Sequence, residues 1–527
     1  MVAAKLSSLV TIWKMTDRGD FNSSLAQIPR AESTILAAIL VAGLTLRVCW
    51  AIAFPSIYHP DEVFQTLEPA HRLVTGWGIV TWEWRVGIRS WLLPGILAGL
   101  MNLAGGRDAD PQHYLTLITI VFSLTSLSIV AVAAAAGRRI AGITGLAIAG
   151  AVSASWYDLV YFGPKTLNEA AAANTLIIAV YLATIIATNN MSITRRRWLV
   201  MLLGFLLGLT FWLRFHLALA LPFIAAWACR GKIRDLWVPL ISGAMIPLIA
   251  FGITDWLTLG TPFQSVWKNV WINIAEGWST AFGTGSVLGY VSELEGLWRW
   301  AFVPILALAY AGVRRLPLFA LVSAVIIGSM SIVPHKELRF IFPAIALIIV
   351  LAGVGTALMI ERLRLLLWPA GTGWLPSSLA ILAWLLTSAI IAISGSWPGL
   401  HTELHVLSPY VIQAETYLHQ RREMCGLGLL GVHWSGTRGY TGLHRPVPIT
   451  EFVSSADFSD HASSVNWLLV NTDLTSTPEI KALLERDDIP KFAIARCWRQ
   501  VCVMHREGAC TPMSGWDINT ELLDKIW

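Results

Sequence analysis

The sequence predicts an all-α polytopic membrane protein of about eleven spans plus a re-entrant or membrane-parallel helix, followed by a mixed α/β C-terminal domain outside the cytoplasm. Three observations carry this. Of the 527 residues, 55% are hydrophobic and only 13% charged, with a mean hydropathy of +0.61, whereas a soluble chain carries roughly twice that charged share. Apolar runs near the length needed to cross a hydrocarbon core of about 30 Å recur between Thr34 and Ile393. Beyond Ile393 the composition changes, since fifteen of the 33 acidic residues and four of the six Cys lie there. A net charge of +5 diluted over this length gives no footprint for nucleic acid, and 26 Trp argue against a disordered chain.

The elements follow in order. Residues 1–33 contain Lys5, Lys14, Arg18 and Arg30 without a continuous apolar core or cleavage site, so they read as a retained cytoplasmic tail. The expected spans are Thr34 to Phe54, His113 to Ala136, Ile140 to Tyr157, Ala171 to Ala187, Trp198 to Leu213, His216 to Cys229, Leu236 to Thr254, Trp298 to Val313, Leu316 to Val333, Phe340 to Ile360 and Ser378 to Ile393. Trp91 to Ala104 is shorter and holds Pro94, which suits a re-entrant or membrane-parallel helix.

With the N-terminus inside, the even-numbered loops carry Arg138-Arg139, Arg195 to Arg197, Arg230 to Arg234, Arg314-Arg315 and Arg362 with Arg364. All are basic, as cytoplasmic loops should be. Counting Trp91 to Ala104 as a span would move every arginine pair outside. Residues 34–394 are therefore the membrane domain, and residues 395–527 a soluble, non-cytoplasmic one. Its four cysteines, Cys425, Cys497, Cys502 and Cys510, are compatible with two disulfides, and three connectivities are open. The sequons at Asn22 and Asn190 fall on the cytoplasmic side, where they are not glycosylated.

Ionisable groups avoid the spans, apart from Arg47, expected to pair with a loop carboxylate or to snorkel. They gather instead in the non-cytoplasmic loops, chiefly 55–112, 163–170 and 334–340. In His59-Pro60-Asp61-Glu62, Pro60 is suited to the first position of a helix. Asp61 and Glu62 would then stand at the N-terminus, where the helix dipole favours a carboxylate that is ionised and able to act as a base; capping is the competing role. Trp77, Trp82 and Trp84 read first as an interfacial aromatic belt. In the run His335 to Phe340, Lys336 and Arg339 stand three apart and would share one face of a helical turn, suited to a phosphate. Asp108-Ala-Asp110 follows no apolar strand and reads as a loop or helix-start motif rather than a metal site, and no P-loop or dinucleotide fingerprint occurs.

Together these residues resemble glycosyltransferase family 22, the lipid-phosphate-mannose-dependent mannosyltransferases. His59-Pro60-Asp61-Glu62, Gln65, Glu68, His71, Thr81-Trp82-Glu83-Trp84 and Arg89-Ser90 are similar to the family's first luminal loop, and most like the branch that adds the third mannose in GPI assembly. Lys165-Thr166-Leu167-Asn168-Glu169 resembles its second luminal segment, and His335-Lys336-Glu337-Leu338-Arg339-Phe340 its H-K-E-x-R-F signature. The resemblance covers roughly residues 30 to 360. It implies a GT-C fold, an inverting transfer of mannose from a dolichyl- or polyprenyl-phosphate donor to a lipid-linked glycan or GPI-type acceptor, and no cofactor or metal. Asp61 becomes the expected base with Glu62 as runner-up, and His335, Lys336 and Arg339 hold the donor phosphate. His59, Gln65, Glu68, Trp82, Glu83, Arg89, Lys165 and Glu169 line the substrate site. The site would face the endoplasmic reticulum lumen in a eukaryote, or the outer side of a bacterial inner membrane. Competing readings are the same fold moving another sugar in a bacterial envelope pathway, and a lipid or sugar flippase.

Overall fold

The computed structural model describes residues 29–230, 233–367, 374–394, 403–472 and 490–511. Most of the expected tail, with Asn22, and the start of the C-terminal domain at 395–402 lie outside the described residues.

Among the described residues, eight helices are long and apolar enough to cross a bilayer. One of them, Pro111–Ser155, has 45 residues, about 67 Å at 1.5 Å per residue and twice what one crossing needs. It breaks at Ala141 and Gly142, where Gly142 takes φ 58°. The two arms then lie against each other so closely that a Cβ on Gly137 would meet the Gly145 carbonyl oxygen at 2.1 Å. This single helical run therefore supplies the two spans His113 to Ala136 and Ile140 to Tyr157. The shorter apolar helices Phe215–Cys229 and Pro317–Ile332 match the remaining expected runs. Trp91 to Ala104 contributes only Leu92–Leu103, 12 residues, which pack by Leu93, Leu97 and Met101 against Leu67, Tyr114 and Phe122.

The core sits around the helix Phe342–Leu367, whose most apolar stretch is almost wholly buried. Its Ile345, Ile349 and Val350 pack among the helices that carry Ile148, Leu176 and Leu318. Arg47 departs from expectation. It is 0% exposed and donates to the carbonyls of Gly43 and Ala154 at 3.0 and 2.9 Å and of Ser153 at 3.3 Å. It neither meets a carboxylate nor reaches the surface, because the hairpin arm brings backbone acceptors to it.

The C-terminal domain is a five-stranded mixed sheet: β1 (Leu427–Leu430), β2 (Ile449–Phe452), β3 (Trp467–Asn471), β4 (Ala493–Trp498) and β5 (Val501–His505). Their order is β2-β1-β3-β5-β4. The first three are parallel, and β5 runs antiparallel to both its neighbours. The short Leu-containing strands β1 and β3 are buried on both faces, as parallel strands usually are. The helix Glu403–His419 covers one face through Val411, Ala414 and Leu418. The four cysteines pair as Cys425–Cys510 and Cys497–Cys502, the second closing the β4–β5 hairpin at a directly paired position. Cys49 and Cys229 are free.

The sheet domain does not hang apart from the membrane helices. Ile57, Val63, Phe64 and Ile79 of the first loop share one apolar cluster with Val411, Leu429 and Trp467. That docking fixes which face of the first loop remains open.

Candidate active site

Pro60 starts a helix whose N-cap is His59, its ring nitrogen accepting from the Asp61 amide at 3.2 Å. The helix continues through a π-helical turn at Val63–Leu67 into Glu68–Thr75. Asp61 and Glu62 thus occupy the first turn but diverge. Glu62 turns back to accept from the Tyr58 amide, just before the helix, at 3.0 Å and pairs with Lys165 at 3.2 Å, so this carboxylate is held by local partners while His59 does the capping. Asp61 points the other way and meets Arg339 at 2.6 Å, 278 residues along the chain.

Arg339 is 3% exposed and sits in a short 3-10 turn, Leu338–Ile341, that opens the central helix. Its guanidinium also pairs with Glu337 and lies 3.6 Å from Glu169, which in turn holds Arg214 at 2.9 Å. His59 reaches Asp61 and Glu337, each at 3.4 Å. Gln65 donates to Glu83 at 3.1 Å, and Glu83 pairs with Arg89. The three sequence motifs therefore form one network. Burial pushes the Asp61 carboxyl up, but Arg339 and His59 beside it outweigh that and hold it well below the usual carboxylate range. Glu337 is held low in the same way, against its burial, by Arg339 and His335. Burial keeps Glu83 above its ordinary value even though Arg89 pulls it down.

Other expected residues stand elsewhere. Lys336 and Arg339 do not share a face, because residues 333–337 are not helical. The Lys336 ammonium bends back to the carbonyls of Ser331 and Val333 at 2.9 and 2.6 Å, closing the C-terminal end of Pro317–Ile332 where the dipole favours a cation. His335 is held between the Gly283 carbonyl at 3.1 Å and Glu337 at 2.8 Å. Of the expected phosphate group, Arg339 touches Asp61, His335 joins the network through Glu337, and Lys336 is turned away from it. Glu68 is 0% exposed. Its oxygens accept from the amides of Ile79, Tyr440 and Thr441 and from the Thr441 hydroxyl at 2.6–3.1 Å. These donors leave it no room for a substrate, and make it the joint between first loop and sheet domain. Gly439 beside it takes φ +54°, and a Cβ there would lie 3.1 Å from the carboxylate. Trp82 stacks on Trp278 at 5.4 Å. Asp110 caps Pro111–Ser155, accepting from the Gln112 amide at 2.8 Å, as a helix-start residue should.

Arg214 is the residue that the sequence reading left out of the site. Its signal was present: a cation in a short loop on the side where positive charge is not expected. A small cavity of about 40 Å³ lies on this flank, with Gln65, Arg89, Asn168 and Arg214 in its walls.

A chain of membrane-crossing helices that brings an acidic residue at a loop helix start to a buried arginine, with a disulfide-bonded sheet docked over it, has the GT-C architecture of membrane glycosyltransferases. The fold resembles that of ArnT from Cupriavidus metallidurans bound to undecaprenyl phosphate, with a TM-score of 0.58 at 13% identity over 92% of this chain and 100% of that one. The profile of the Alg9-like mannosyltransferase family matches residues 38–416, and the chain belongs to that family. It is similar to GPI mannosyltransferase 3 of Yarrowia lipolytica, 24% identical over 442 residues, 80% of this chain and 78% of the relative. A GPI mannosyltransferase 3 of Drosophila melanogaster is 36% identical over 83 residues, 16% of this chain and 15% of that protein. The protein is thus an integral membrane mannosyltransferase, and the flippase reading falls.

Proposed function

We propose that this enzyme transfers mannose from a dolichyl- or polyprenyl-phosphate donor to a GPI-type glycolipid acceptor, on the non-cytoplasmic face of the membrane. The observation that carries the reading is the 2.6 Å contact between Asp61 and Arg339. It joins a carboxylate in a first helical turn to a buried guanidinium at one point, and a displacement at an anomeric carbon needs these two groups. The names of the relatives, GPI mannosyltransferase 3, support the acceptor class, and the undecaprenyl phosphate bound to ArnT supports the donor class.

In the proposed reaction the acceptor hydroxyl oxygen attacks C1 of the mannose and the bond from C1 to the phosphate oxygen breaks. The hydroxyl proton passes to the Asp61 carboxylate, and the bonding pair leaves with the lipid phosphate. Attack from the opposite side inverts C1, giving an α-mannoside from a β-linked donor. The departing phosphate gains charge, which Arg339 is placed to stabilise, with Arg89 and Arg214 nearby to add to the field. The pairing has a further consequence. Arg339 keeps Asp61 ionised but weakly basic, and a phosphate that draws the guanidinium to itself leaves the carboxylate with one partner fewer and a stronger pull on the proton. The donor thereby readies the base.

Asp61→Asn tests the reading, since it keeps the shape and removes the basicity. With labelled lipid-phosphate mannose and a dimannosyl GPI-type glycolipid, turnover should fall by about 10²–10⁴, with both apparent Michaelis constants little changed. Wild-type turnover in Asp61→Asn would overturn the assignment.

A further inference from the structure

A cavity of about 560 Å³ has Glu62, Val63 and Leu67 of the first-loop helix in its wall, but neither Asp61 nor Arg339. Its volume is typical of sites that enclose small-molecule groups. One end is apolar and is built from the ends of membrane helices, with Trp50, Phe54, Leu115 and Ile118 in its wall. The other end is polar and is built by the sheet domain. There, Gln413, Thr416 and Tyr417 line it, at positions i, i+3 and i+4 of the helix Glu403–His419, which is one helical face, and Gln420 joins them from the turn just after the helix. The opposite face of that helix is spent on the sheet through Val411, Ala414 and Leu418. Among the described residues, the side-chain amides of Gln413 and Gln420 make no hydrogen bond, and both residues are exposed.

Charged groups mark both ends. At the inner end stand Glu62 and Lys165, paired at 3.2 Å; Glu62 is the immediate neighbour of Asp61 in the chain. At the outer end Arg496 lies over the rings of Trp498 and Tyr417 at 5.0 and 5.9 Å, without a carboxylate partner among the described residues. The Cys497–Cys502 disulfide closes the hairpin that presents it. Arg438 in the same wall is already neutralised by Glu415 at 3.0 Å.

We propose that this cavity binds the acceptor glycolipid: the alkyl chains along Trp50, Phe54 and Leu115, the sugars against Gln413, Thr416 and Gln420, and the lipid's phosphate at Arg496. The inference rests on the function proposed above. Amide and hydroxyl side chains on one helix face suit sugar hydroxyls, and an aromatic-backed arginine suits a phosphodiester. The phosphate-facing cations of the Asp61 network, Arg89, Arg214 and Arg339, are absent from these walls, which separates the cavity from a donor site. Glu62 and Asp61 then form the partition, one carboxylate facing each side. The sheet domain thereby becomes the part of the enzyme that selects the acceptor.

The test has two arms. In the first, a photoreactive phosphatidylinositol glycolipid bearing two mannoses is cross-linked to the full-length protein in nanodiscs and mapped by mass spectrometry. Label is expected on peptides containing 112–119 and 412–420, reduced at least fivefold in Arg496→Glu and in the double variant Gln413→Leu with Gln420→Leu. Label elsewhere, label that the variants leave unchanged, or the same peptides labelled instead by photoreactive polyprenyl phosphate overturns the inference, whether or not transfer occurs. In the second, mannose transfer is titrated: both variants should raise the apparent Michaelis constant for the glycolipid about tenfold or more and leave that for the donor unchanged. An unchanged glycolipid constant in an active enzyme overturns the inference alone. Specific labelling without any transfer by the wild type overturns the proposed function and leaves the cavity as a glycolipid site.

Discussion

Replacing Glu68 separates a structural joint from a substrate ligand, because the two roles give opposite signatures. Four donors from two distant segments converge on this carboxylate at 2.6–3.1 Å, at a position with no exposure. Glu68→Ala leaves all four without an acceptor. A buried polar group left unpaired costs about 1–3 kcal/mol, so the raw sum is about 4–12 kcal/mol; water entering the vacated space recovers part, and we expect a loss of about 3–6 kcal/mol. Glu68→Gln keeps the volume and one acceptor oxygen but turns an NH₂ towards other donors, and should cost about 2–4 kcal/mol. Such losses are a large share of a domain's typical margin of about 5–15 kcal/mol. The sheet domain should therefore release from the first loop before the helical core melts. The assay is limited proteolysis of detergent-solubilised protein, read with thermal unfolding: both variants should be cut faster between 403 and 472 and melt earlier, in the order Ala, Gln, wild type. Wild-type protease resistance and melting in Glu68→Gln, together with a raised Michaelis constant for the acceptor, would refute this reasoning and return Glu68 to the substrate site.

Two further predictions concern the loop at 334–340. Lys336→Met should lower the melting temperature by the equivalent of about 1 kcal/mol while leaving donor affinity alone, whereas Arg339→Gln should raise the apparent Michaelis constant for lipid-phosphate mannose at least tenfold; equal donor defects in both would show that the lysine reaches phosphate after all. His335 is held above its ordinary value chiefly by its hydrogen bond to Glu337, against a smaller opposing effect of burial. The folded protein therefore binds this proton more tightly than the unfolded chain, and the stabilisation is full below about pH 6.5 and lost as pH rises through the folded value. His335→Gln should flatten the fall in melting temperature as pH rises above about 6.5, and an unchanged slope would assign that fall to another group.

What the sequence made legible was what local chemistry decides. Apolar length located the helices, and composition marked off the sheet domain. Pro60 after His59 announced a helix start, and the structure has one there. Asp61 and Arg339 were each picked out by motif, although nothing local said that they touch. The directions of side chains in irregular backbone were not legible. Lys336 and Arg339 looked like a pair only on the assumption of a helical turn, and the turn begins two residues after Lys336. Glu68 looked like its acidic neighbours because its partners, Tyr440 and Thr441, lie 372 and 373 residues away. Arg47 is a related case: the sequence offers it a loop carboxylate or the lipid surface, whereas its partners are the backbone carbonyls of its own helix and of a neighbouring arm.

That arginine also constrains how the protein is built. When the first helix enters the bilayer during synthesis, the carbonyls of Ser153 and Ala154 that receive its guanidinium are still about a hundred residues from being made. An arginine at the middle of an isolated helix costs at least about 2.5–3.5 kcal/mol. Position 47 is six residues from the helix end at Ala53, within reach of the headgroups for a long side chain. The nascent helix can thus ride with its charge at the lipid surface and exchange that hydration for protein carbonyls only once the Gly142 turn has folded the second arm against it. Leu at position 47 would ease insertion but remove this delayed latch, so that the first helix would be retained by shape alone.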